Sequence, residues 1–372
     1  MPGLIVHEWI AQSGGSEKVV EAFARVFPDA DVRCLWDETG SGDTRVKESW
    51  IGRTPLRRHK ALALPFMPVT WRALPPTDAD WLLVSSHLFA HHARPRGGSQ
   101  KPRFVYVHSP ARYIWEPALD ERGRTLLARM MAPSFRWIDR KRAQEGGNFV
   151  ANSDFVRQRI ARSWDVDATV IYPPVDVRKI QGGGSWQERL SADDERILSQ
   201  LPPSFLLGAS RFVPYKRLDD VIRAGRITGF PVVIAGDGPD EPRLRSLARE
   251  SGALVHFVIR PSDELLYSLY ERCHAYVFPA IEDFGIMPVE AMAAGAAVIA
   301  NRTGGAAESV VDGVTGRLVD FASPADLSAA AAAVADAHRE AARTRALEFD
   351  VAEFELRIRR WVTEGLNARV AQ

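Results

Sequence analysis

The chain has 372 residues, 46% of them hydrophobic and 26% charged, which is the composition of a soluble globular protein long enough for two domains. Its two cysteines, Cys34 and Cys273, are too few for a disulfide framework or a cysteine metal cluster. No apolar run approaches the roughly 18 residues that span a membrane, and the N-terminus lacks the pattern of a signal peptide. We therefore expect a cytoplasmic protein.

The net charge of +1 is unevenly distributed. Residues 1–180 contain 27 Lys or Arg against 20 Asp or Glu, so this half carries +7 and the rest carries −6. Between 51 and 112 there are ten Lys or Arg and two Asp. A basic first half predicts an anionic partner, such as a membrane face or a pyrophosphate-bearing lipid. No nucleic-acid-binding motif accompanies the charge, so we do not expect nucleic acid as a partner.

The first elements predict the start of a Rossmann-like unit. Residues 4–6 predict a strand, 14–16 form a glycine-rich loop, and 17–27 have the apolar spacing of a helix. Gly15 has no Cβ, so its backbone can approach a phosphate or an acceptor closely. The alternative for Gly15 is a tight turn before a helix. The loop is not Gly-x-Gly-x-x-Gly, which argues against an NAD-dependent oxidoreductase.

Residues 53–74 mix basic and bulky apolar side chains, with three prolines and no acid. Such a segment can lie on a membrane surface, its basic residues facing lipid phosphates and its apolar residues entering the membrane. The residues concerned are Arg57, Arg58, Lys60, Phe66, Met67 and Trp71. The alternative is an ordinary loop and helix packed on the sheet of the first domain.

Two further predicted strands of the first half end in polar residues. Residues 81–84 lead into Ser85-Ser86-His87, and residues 103–107 lead into His108. Ligands of open parallel sheets meet the residues just beyond the carboxyl ends of strands, so His108 is a candidate ligand contact. A structural hydrogen-bonding role is the alternative.

The chain divides into two predicted domains. Residues 1–180 form the first, and 204–348 form the second. Residues 181–203 are polar and lack strand character, so they are expected to be an interdomain linker.

The second domain begins with a strand over 205–209, and a loop with Arg211 and Lys216 precedes the next helix. The guanidinium fork of arginine and the point charge of lysine suit a diphosphate. Solvated loop residues are the alternative. Arg260 lies just beyond a later strand, over 255–259.

Residues 275–300 predict a strand, a turn, a helix and another strand. Glu282 follows the first strand, Pro288 is expected to open the helix, and Glu290 lies in its first turn. Two carboxylates therefore flank free N–H groups at a helix N-terminus. This arrangement suits a ligand with both hydroxyls and phosphates. The alternative is a solvated Glu282 and a Glu290 that complements the helix dipole.

The stretch from Pro279 to Glu308 resembles the Glu-x7-Glu signature of retaining glycosyltransferases of family 4, which have the GT-B fold. The match includes Phe284-Gly285, Pro288, the helix over 290–293 and the Gly304-Gly305 turn. Two other segments carry the resemblance. His-Ser-Pro-Ala-Arg-Tyr-Ile-Trp at 108–115 is similar to a motif of family 4 mannosyltransferases, and Arg211 with Lys216 is similar to the family's Arg and Lys.

The resemblance covers nearly the whole chain and is weak over 35–80. It implies an α/β fold of GT-B type, with two Rossmann-like domains facing each other across a cleft. It also implies that the last helix, expected over 349–366, crosses back to pack on the first domain.

The resemblance further implies a nucleotide-diphospho-sugar donor. Arg211, Lys216 and the N–H groups after Phe284 would stabilise the leaving diphosphate. Glu290 would bind the ribose, Glu282 would bind the sugar hydroxyls, and His108 would orient the sugar and accept a hydrogen bond from it. The expected substrate contacts are Gly15, His108, Arg211, Lys216, Arg260, Glu282, Phe284, Gly285, Ile286, Met287 and Glu290.

No residue is an evident nucleophile, which fits the front-face mechanism of the resembling family, in which the leaving phosphate takes the acceptor's proton. No metal or cofactor is expected. Three Asp-x-Asp pairs, which begin at Asp29, Asp78 and Asp165, precede apolar strands and are interpreted as solvated turns.

GDP-mannose is the expected donor and a UDP-sugar is the second choice. The expected acceptor is an oligosaccharide or a polyprenyl-diphosphate-linked saccharide, as in extracellular polysaccharide or O-antigen assembly. Two rivals remain open. A sugar-nucleotide epimerase would need acid–base pairs around the sugar, for which His87 and His108 are the main candidates. A non-catalytic sugar-binding protein would not depend on Glu282 or His108.

Overall fold

The structure is a computed structural model that describes residues 1–12, 14–40, 42–97, 101–116, 126–334 and 336–370. It divides into two units. One consists of Met1–Pro174 with Ala352–Gln372, and the other of Val175–Val351. The fold is the expected α/β type, with a parallel sheet in each unit.

Within the described residues, the first unit contains a sheet of seven parallel strands in the order β3-β2-β1-β4-β5-β6-β7. The strands are β1 (Gly3–His7), β2 (Asp31–Cys34), β3 (Val46–Glu48), β4 (Trp81–Ser86), β5 (Arg103–Val107), β6 (Asn148–Ala151) and β7 (Thr169–Val170). The central strands are continuous apolar runs because both faces of the sheet are covered. Leu4 and Val6 face one core, and Ile5 faces the other.

The helices of the first unit cover both faces of this sheet. They are α1 (Gly15–Val26), α2 (Lys60–Ala63), α3 (Met67–Arg72), α4 (Arg112–Trp115), α5 (Leu126–Ala143) and α6 (Asp154–Trp164), with 3-10 turns at Trp50–Arg53, Pro55–Arg58, Leu64–Phe66 and Ala90–His92. Helix α6 begins after Ser153, whose hydroxyl caps it by accepting a hydrogen bond from the Val156 N–H at 3.0 Å.

The prediction that Met67 and Trp71 enter a membrane is wrong. Both side chains are fully buried in the core of the first unit. The short helix α3 has one apolar side that packs inward, and the sequence did not reveal which side that is. Its outer side exposes Val69, and the preceding turn exposes Phe66.

Two of the basic residues in this segment are also held within the first unit. Arg57 donates hydrogen bonds to the backbone carbonyls of Gly52 and Asp37 at 3.2 and 2.7 Å. Lys60 lies 3.4 Å from the Glu38 carboxylate and 4.5 Å from the centre of the Trp9 ring. Arg58 is exposed.

The second unit repeats the same strand arrangement. Its six described strands are parallel, in the order β10-β9-β8-β11-β12-β13. They are β8 (Leu206–Ala209), β9 (Val232–Gly236), β10 (Val255–Ile259), β11 (Ala275–Phe278), β12 (Val298–Asn301) and β13 (Gly316–Val319).

The helices of the second unit include three short segments before its first strand. The helices are α7 (Val177–Gln181), α8 (Ala192–Ser199), α9 (Leu218–Thr228), α10 (Glu241–Ser251), α11 (Asp263–Arg272), α12 (Ile286–Ala293), α13 (Ala306–Ser309), α14 (Pro324–Ala333) and α15 (Asp336–Ala346), with 3-10 turns at Trp186–Arg189, Pro214–Lys216 and Leu347–Phe349.

Residues 181–203 are not the predicted linker, because they belong to the second unit and contribute to its buried surface. The Trp186 ring is buried and lies 4.5 Å from the Tyr267 ring, and its Nε1–H donates to the Ile180 carbonyl at 2.9 Å. The Ser185 hydroxyl donates to the Glu271 carboxylate at 2.8 Å. Burial of one tryptophan outweighs the polar composition of the segment.

The last helix, α16 (Val351–Val370), returns to the first unit as the resemblance implies. Its Phe354 and Ile358 are buried in the core beside β5. Phe354 stacks on Phe23 with 6.0 Å between ring centres, and Trp361 meets the edge of Phe104 at 5.3 Å. The helix begins and ends a few residues later than predicted.

Each sheet reverses its winding direction at one point. In the first unit this point lies between β1 and β4, and in the second between β8 and β11. The loops on the two sides of such a point run in opposite directions, which opens a crevice beyond the carboxyl ends of the strands. Ligands of open α/β sheets bind in this crevice. The loops that follow these four strands are therefore where a ligand is expected to bind.

None of the helices in the described ranges combines the length and the hydropathy needed to cross a membrane.

Replacing Phe354 by alanine should lower the free energy of unfolding by about 3 kcal/mol, because it leaves a cavity between α16 and the sheet. Leu356 on the same helix is 52% exposed, so Leu356→Ala should change that energy by about 0.5 kcal/mol or less. Urea unfolding followed by circular dichroism measures both. Equal losses in the two variants would contradict the docking of α16.

Candidate functional site

An ion pair joins the loops that follow β8 and β11, at the switch point of the second sheet. The Lys216 ammonium contacts the Glu282 carboxylate, and only 11% and 17% of the two side chains are exposed. Charges so far removed from solvent interact more strongly than a surface pair does. The structure thus brings two of the predicted donor-binding residues into direct contact.

The backbone around this pair fixes where the two side chains start. Lys216 ends the 3-10 turn Pro214–Lys216, and Arg217 takes a left-handed conformation with φ 56° before α9 begins. The carbonyl of Glu282 accepts a hydrogen bond from the Gly305 N–H at 2.8 Å. A Cβ on Gly305 would lie 2.2 Å from the Asp283 carbonyl oxygen. Only glycine therefore lets the loop after β12 approach the loop after β11 this closely.

Helix α12 begins two residues earlier than predicted. Gly285 precedes it with φ 89°, so Ile286 is the first helical residue, Pro288 the third and Glu290 the fifth. A left-handed glycine starts this helix, and proline is tolerated because the first-turn N–H groups have no acceptor within a helix. The N–H groups of Ile286 and Met287 are the ones that the helix itself cannot satisfy. Glu290 accordingly lies in the second turn of α12.

Glu282 and Glu290 lie around the same buried tyrosines. Burial, followed by the negative charges of Glu282 and Glu290, raises the pKa of Tyr276 well above its ordinary value. Burial and the charges of Tyr276 and Glu290 do the same to the pKa of Tyr270. The two carboxylates of the Glu-x7-Glu stretch therefore both lie near enough to Tyr276 to raise its pKa.

The side chain of Phe284 belongs to the buried interior of the second unit. Its ring lies 5.6 Å from that of Phe349. A contact between Phe284 and a ligand would therefore involve its backbone.

Two predicted arginines lie on neighbouring loops. Arg211 is exposed and donates a hydrogen bond to the Tyr215 hydroxyl at 2.8 Å. Arg260 has φ 50° and donates to the Asp237 carboxylate at 2.7 Å. Within the described residues, neither guanidinium forms a hydrogen bond or ion pair with Lys216 or Glu282. Arg211 follows β8 and Arg260 follows β10, so both lie beyond the carboxyl ends of strands of the same parallel sheet.

The corresponding switch point of the first unit contains a carboxylate that the sequence analysis did not single out. Glu8 follows β1 and is fully buried. Its oxygens accept hydrogen bonds from the N–H groups of Leu88 and Ala90, both at 2.8 Å, and of His87 at 3.3 Å. Burial raises the pKa of Glu8, although His7 and these N–H donors act in the opposite direction. Glu8 thereby fixes the loop that follows β4.

Three polar residues at the ends of β1, β4 and β5 form a hydrogen-bonded chain. The Ser85 hydroxyl lies 3.1 Å from His7 Nδ1 and 2.8 Å from His108 Nε2. Burial, helped by the neighbouring His87 and His7, holds the pKa of His108 well below its ordinary value. His108 is therefore a neutral imidazole at pH 7, and the Ser85 hydroxyl occupies one of its two ring nitrogens.

Spacing along the chain does not identify His7, Glu8 and Ser85 as parts of one site, because β1 and β4 become neighbours only in the folded sheet. A usable signal was present, since His7 and Glu8 directly follow the apolar run at 4–6 and Ser85 follows the run at 81–84. Gly15, the remaining predicted contact, is the first residue of α1, after the loop that follows β1. Its approach to a ligand stays a prediction.

Two clusters of histidine and carboxylate have the spacing of metal ligands within the described residues: His7 with Glu8 and His87, and His91 with His92 and Asp139. Donors of the protein itself already occupy both carboxylates. Asp139 is 3.1 and 3.0 Å from the Nε2 atoms of His91 and His92. It also accepts hydrogen bonds from two tryptophan N–H groups. Each of the two carboxylates thus has hydrogen-bond donors within the protein.

The three Asp-x-Asp pairs lie near the amino ends of strands, opposite these loops, as predicted, but Asp31 lies within a strand rather than in a turn. Asp31 is the first residue of β2, Asp80 directly precedes β4, and Asp165 ends α6 in a left-handed conformation with φ 57°.

Two family models match the chain. The model described as "Glycosyltransferase Family 4" matches residues 13–179, and the model described as "Glycosyl transferases group 1" matches residues 192–346. The first match lies mostly within the first unit and the second lies within the second unit. Together they include Ser85 and His108 of the first unit and Arg211, Lys216, Arg260, Glu282 and Glu290 of the second, but not His7 or Glu8.

Two relatives with curated names have similar sequences. The GDP-mannose-dependent alpha-(1-6)-phosphatidylinositol monomannoside mannosyltransferase of Mycolicibacterium smegmatis is 29% identical over 59% of this chain and 60% of its own length. The D-rhamnosyltransferase WbpZ of Pseudomonas aeruginosa is 30% identical over 61% of this chain and 56% of its own length. The chain thus spans little more than half the length of these curated relatives.

Two solved structures have the same fold over nearly their whole length. A sucrose-phosphate synthase from Thermosynechococcus elongatus superimposes with a TM-score of 0.73 at 17% identity, covering 99% of both chains. HepE from Anabaena, solved in complex with UDP, gives a TM-score of 0.69 at 17% identity, covering 98% of this chain and 100% of its own.

A double-mutant cycle on Lys216→Met and Glu282→Gln should give a coupling of about 1–3 kcal/mol in the free energy of unfolding, because each single change leaves a mostly buried charge alone. The matched control is the pair Arg196 and Asp193, whose side chains are 69% and 81% exposed. For this pair we expect about 0.5 kcal/mol or less. A coupling at Lys216 and Glu282 no larger than the control would show that the pair does not hold the two loops.

Proposed function

We propose that this chain, which belongs to the family 4 glycosyltransferases, transfers a hexose from a nucleotide-diphospho-sugar to a saccharide acceptor. The family 4 model matches residues 13–179, and the group 1 glycosyltransferase model matches residues 192–346. The observation that carries this proposal is the placement of Lys216 and Glu282 at the switch point of the second sheet. A lysine, a carboxylate and the unsatisfied N–H groups of α12 together match the anionic and hydroxyl groups of such a donor.

The proposed reaction breaks the bond between the anomeric carbon and the diphosphate, which accumulates negative charge. Lys216, Arg211 and the N–H groups of Ile286 and Met287 stabilise that charge. A new bond forms between the anomeric carbon and the acceptor oxygen on the same face of the sugar. The acceptor's hydroxyl proton passes to the departing phosphate oxygen, so no protein nucleophile is required.

The remaining contacts in the proposal are those that the family resemblance implies. Glu290 binds the ribose hydroxyls, and Glu282 binds hydroxyls of the transferred sugar while also fixing Lys216. Arg260 contacts the nucleotide base. His108 contacts the transferred sugar, and the glycine-rich loop at Gly15 lies on the acceptor side.

We propose GDP-mannose as the donor and a UDP-sugar as the alternative. The curated name of the mycobacterial relative specifies GDP-mannose, and the segment at 108–115 is similar to a mannosyltransferase motif. The +7 charge of residues 1–180 supports an acceptor that carries a diphosphate, such as a polyprenyl-linked saccharide. The proposed mechanism needs no metal, because Lys216 and Arg211 supply the positive charge.

An exposed surface around α2 and α3 supports a peripheral contact with an acidic membrane. It consists of Trp50, Leu62, Phe66 and Val69, which are 49%, 62%, 45% and 67% exposed. Arg53 and Arg58 in the same segment are exposed as well. Apolar side chains among basic ones are the pattern of proteins that lie on anionic lipid. This surface replaces the buried Met67 and Trp71 of the sequence-based prediction.

Lys216→Ala should lower kcat/KM for the donor by about 100-fold or more, because it removes charge stabilisation of the leaving diphosphate. Glu290→Gln should raise the donor KM, because it weakens the ribose contact. The assay measures nucleotide release from GDP-mannose and from UDP-sugars, with and without a lipid-diphosphate saccharide acceptor and with and without a chelator.

Arg196→Ala, at an exposed position of the second unit, is the matched control and should leave the kinetics unchanged. Unaltered donor binding in both Lys216→Ala and Glu290→Gln would refute the assignment of the site. Activity abolished by the chelator would refute metal independence. An epimerised nucleotide sugar without transfer would favour the epimerase alternative.

The double variant Leu62→Glu/Val69→Glu should bind vesicles of mixed neutral and anionic lipid about tenfold or more weakly than the unmodified protein at low salt, because it removes the two most exposed apolar side chains of this surface and adds repulsive charge. Flotation with vesicles measures the bound fraction. Leu254→Glu, at a 59% exposed position of the second unit, is the control and should bind normally. Equal binding by both variants would show that this surface does not contact the membrane.

A further inference from the structure

The Ser85 hydroxyl lies between the imidazole rings of His7 and His108. Burial lowers the pKa of both rings, so both are neutral at pH 7. The hydroxyl is 3.1 Å from His7 Nδ1 and 2.8 Å from His108 Nε2. Ser85 and His7 are fully buried, and His108 is half-buried. A hydroxyl has one proton, so it donates to one ring and accepts from the other. Two proton arrangements are therefore possible, and they give His108 opposite tautomers.

The contacts of His7 distinguish these two arrangements. His7 Nδ1 also lies 3.4 Å from the Ser85 carbonyl oxygen, which can only accept. A proton on Nδ1 satisfies this oxygen and the hydroxyl together, whereas a bare Nδ1 would direct its lone pair at the carbonyl.

The surroundings of the other ring nitrogen of His7 also favour a proton on Nδ1. His7 Nε2 is buried and has no hydrogen-bond partner among the described residues. A proton on Nδ1 meets the Ser85 hydroxyl and carbonyl oxygens at 3.1 and 3.4 Å, whereas a proton on Nε2 would have no hydrogen bond of comparable geometry. A poorly paired buried donor is more costly than an unused lone pair. His7 therefore carries its proton on Nδ1 and donates it to Ser85.

We infer that Ser85 is a positioning residue that donates its proton to His108 Nε2 and thereby places the single ring proton of His108 on Nδ1. The proton order runs from His7 through Ser85 to His108. The free nitrogen of His108 is then a donor, so its partner is an oxygen that accepts, such as a hydroxyl or phosphate oxygen of the donor sugar nucleotide. This polarity is the reverse of the sequence-based expectation that His108 accepts a hydrogen bond. The link to the ligand rests on the proposed function, whereas the proton order does not.

The direct test is a long-range ¹H–¹⁵N correlation spectrum of protein labelled with ¹⁵N-histidine, without any ligand. The His108 signals are identified by their loss in His108→Gln. We expect the unmodified protein to show a protonated Nδ1 and a bare Nε2 at His108. In Ser85→Ala the proton should move toward Nε2, the tautomer that an unconstrained imidazole favours.

Ser86→Ala is the matched control. Ser86 is the next residue of β4 and is equally buried, but its hydroxyl lies 3.2 Å from His91 Nδ1 rather than near His108. The His108 signals should be unchanged in this variant. A proton on Nε2 in the unmodified protein, or unchanged His108 signals in Ser85→Ala, would overturn the inference.

Transfer kinetics connect the proton order to the reaction. Ser85→Ala should lower kcat by about tenfold or more, with the donor KM little changed, because the wrong tautomer presents a lone pair where a donor is needed. Ser85→Thr retains the hydroxyl and should recover most of the loss, and Ser86→Ala should match the unmodified protein. An unchanged kcat in Ser85→Ala overturns the positioning role.

The two measurements separate two kinds of failure. If the tautomer moves in Ser85→Ala but the unmodified protein transfers no sugar from any nucleotide donor, the proposed function fails and the proton order stands. If the unmodified protein is active and the tautomer does not move, the proton order fails and the proposed function stands.

Discussion

The contact between Lys216 and Glu282 is the constraint on which the second unit's site depends. It joins the loops that follow β8 and β11, the two strands at which the sheet reverses its winding. Both charges are mostly buried, so each requires the other, and loss of either one leaves an uncompensated charge. The close approach of the loop at Gly305 supports the Glu282 side of the pair. These loops hold a cation and a carboxylate beside the N-terminus of α12.

The first unit uses the same topology with different chemistry. At its switch point the buried Glu8 carboxylate accepts hydrogen bonds from backbone N–H groups of the loop after β4. The Ser85 hydroxyl is hydrogen-bonded to both His7 and His108. Neutral imidazoles joined through a hydroxyl can orient one another without placing net charge in the protein interior. The switch point of the second unit thus has an ion pair, whereas that of the first has a chain of hydrogen bonds between side chains.

Local sequence patterns predicted the strands that follow Pro2, Asp80 and Pro102, because buried parallel strands are apolar runs. The return of α16 to the first unit was implied by the family resemblance and not by a local pattern. Local patterns placed α12 two residues late, because a left-handed Gly285 starts that helix and Pro288 does not. They misassigned 181–203, where burial of Trp186 outweighs a polar composition. His7, Glu8 and Ser85 become a site only when β1 and β4 are neighbours, and that adjacency is a property of topology rather than of spacing along the chain.

The most direct test of the central claim is a crystal structure of the protein with GDP bound. We predict the diphosphate within hydrogen-bonding distance, about 3 Å, of Lys216 Nζ and of the N–H group of Ile286 or Met287, with the ribose at Glu290. A diphosphate bound away from the loops that follow β8 and β11 would contradict the account.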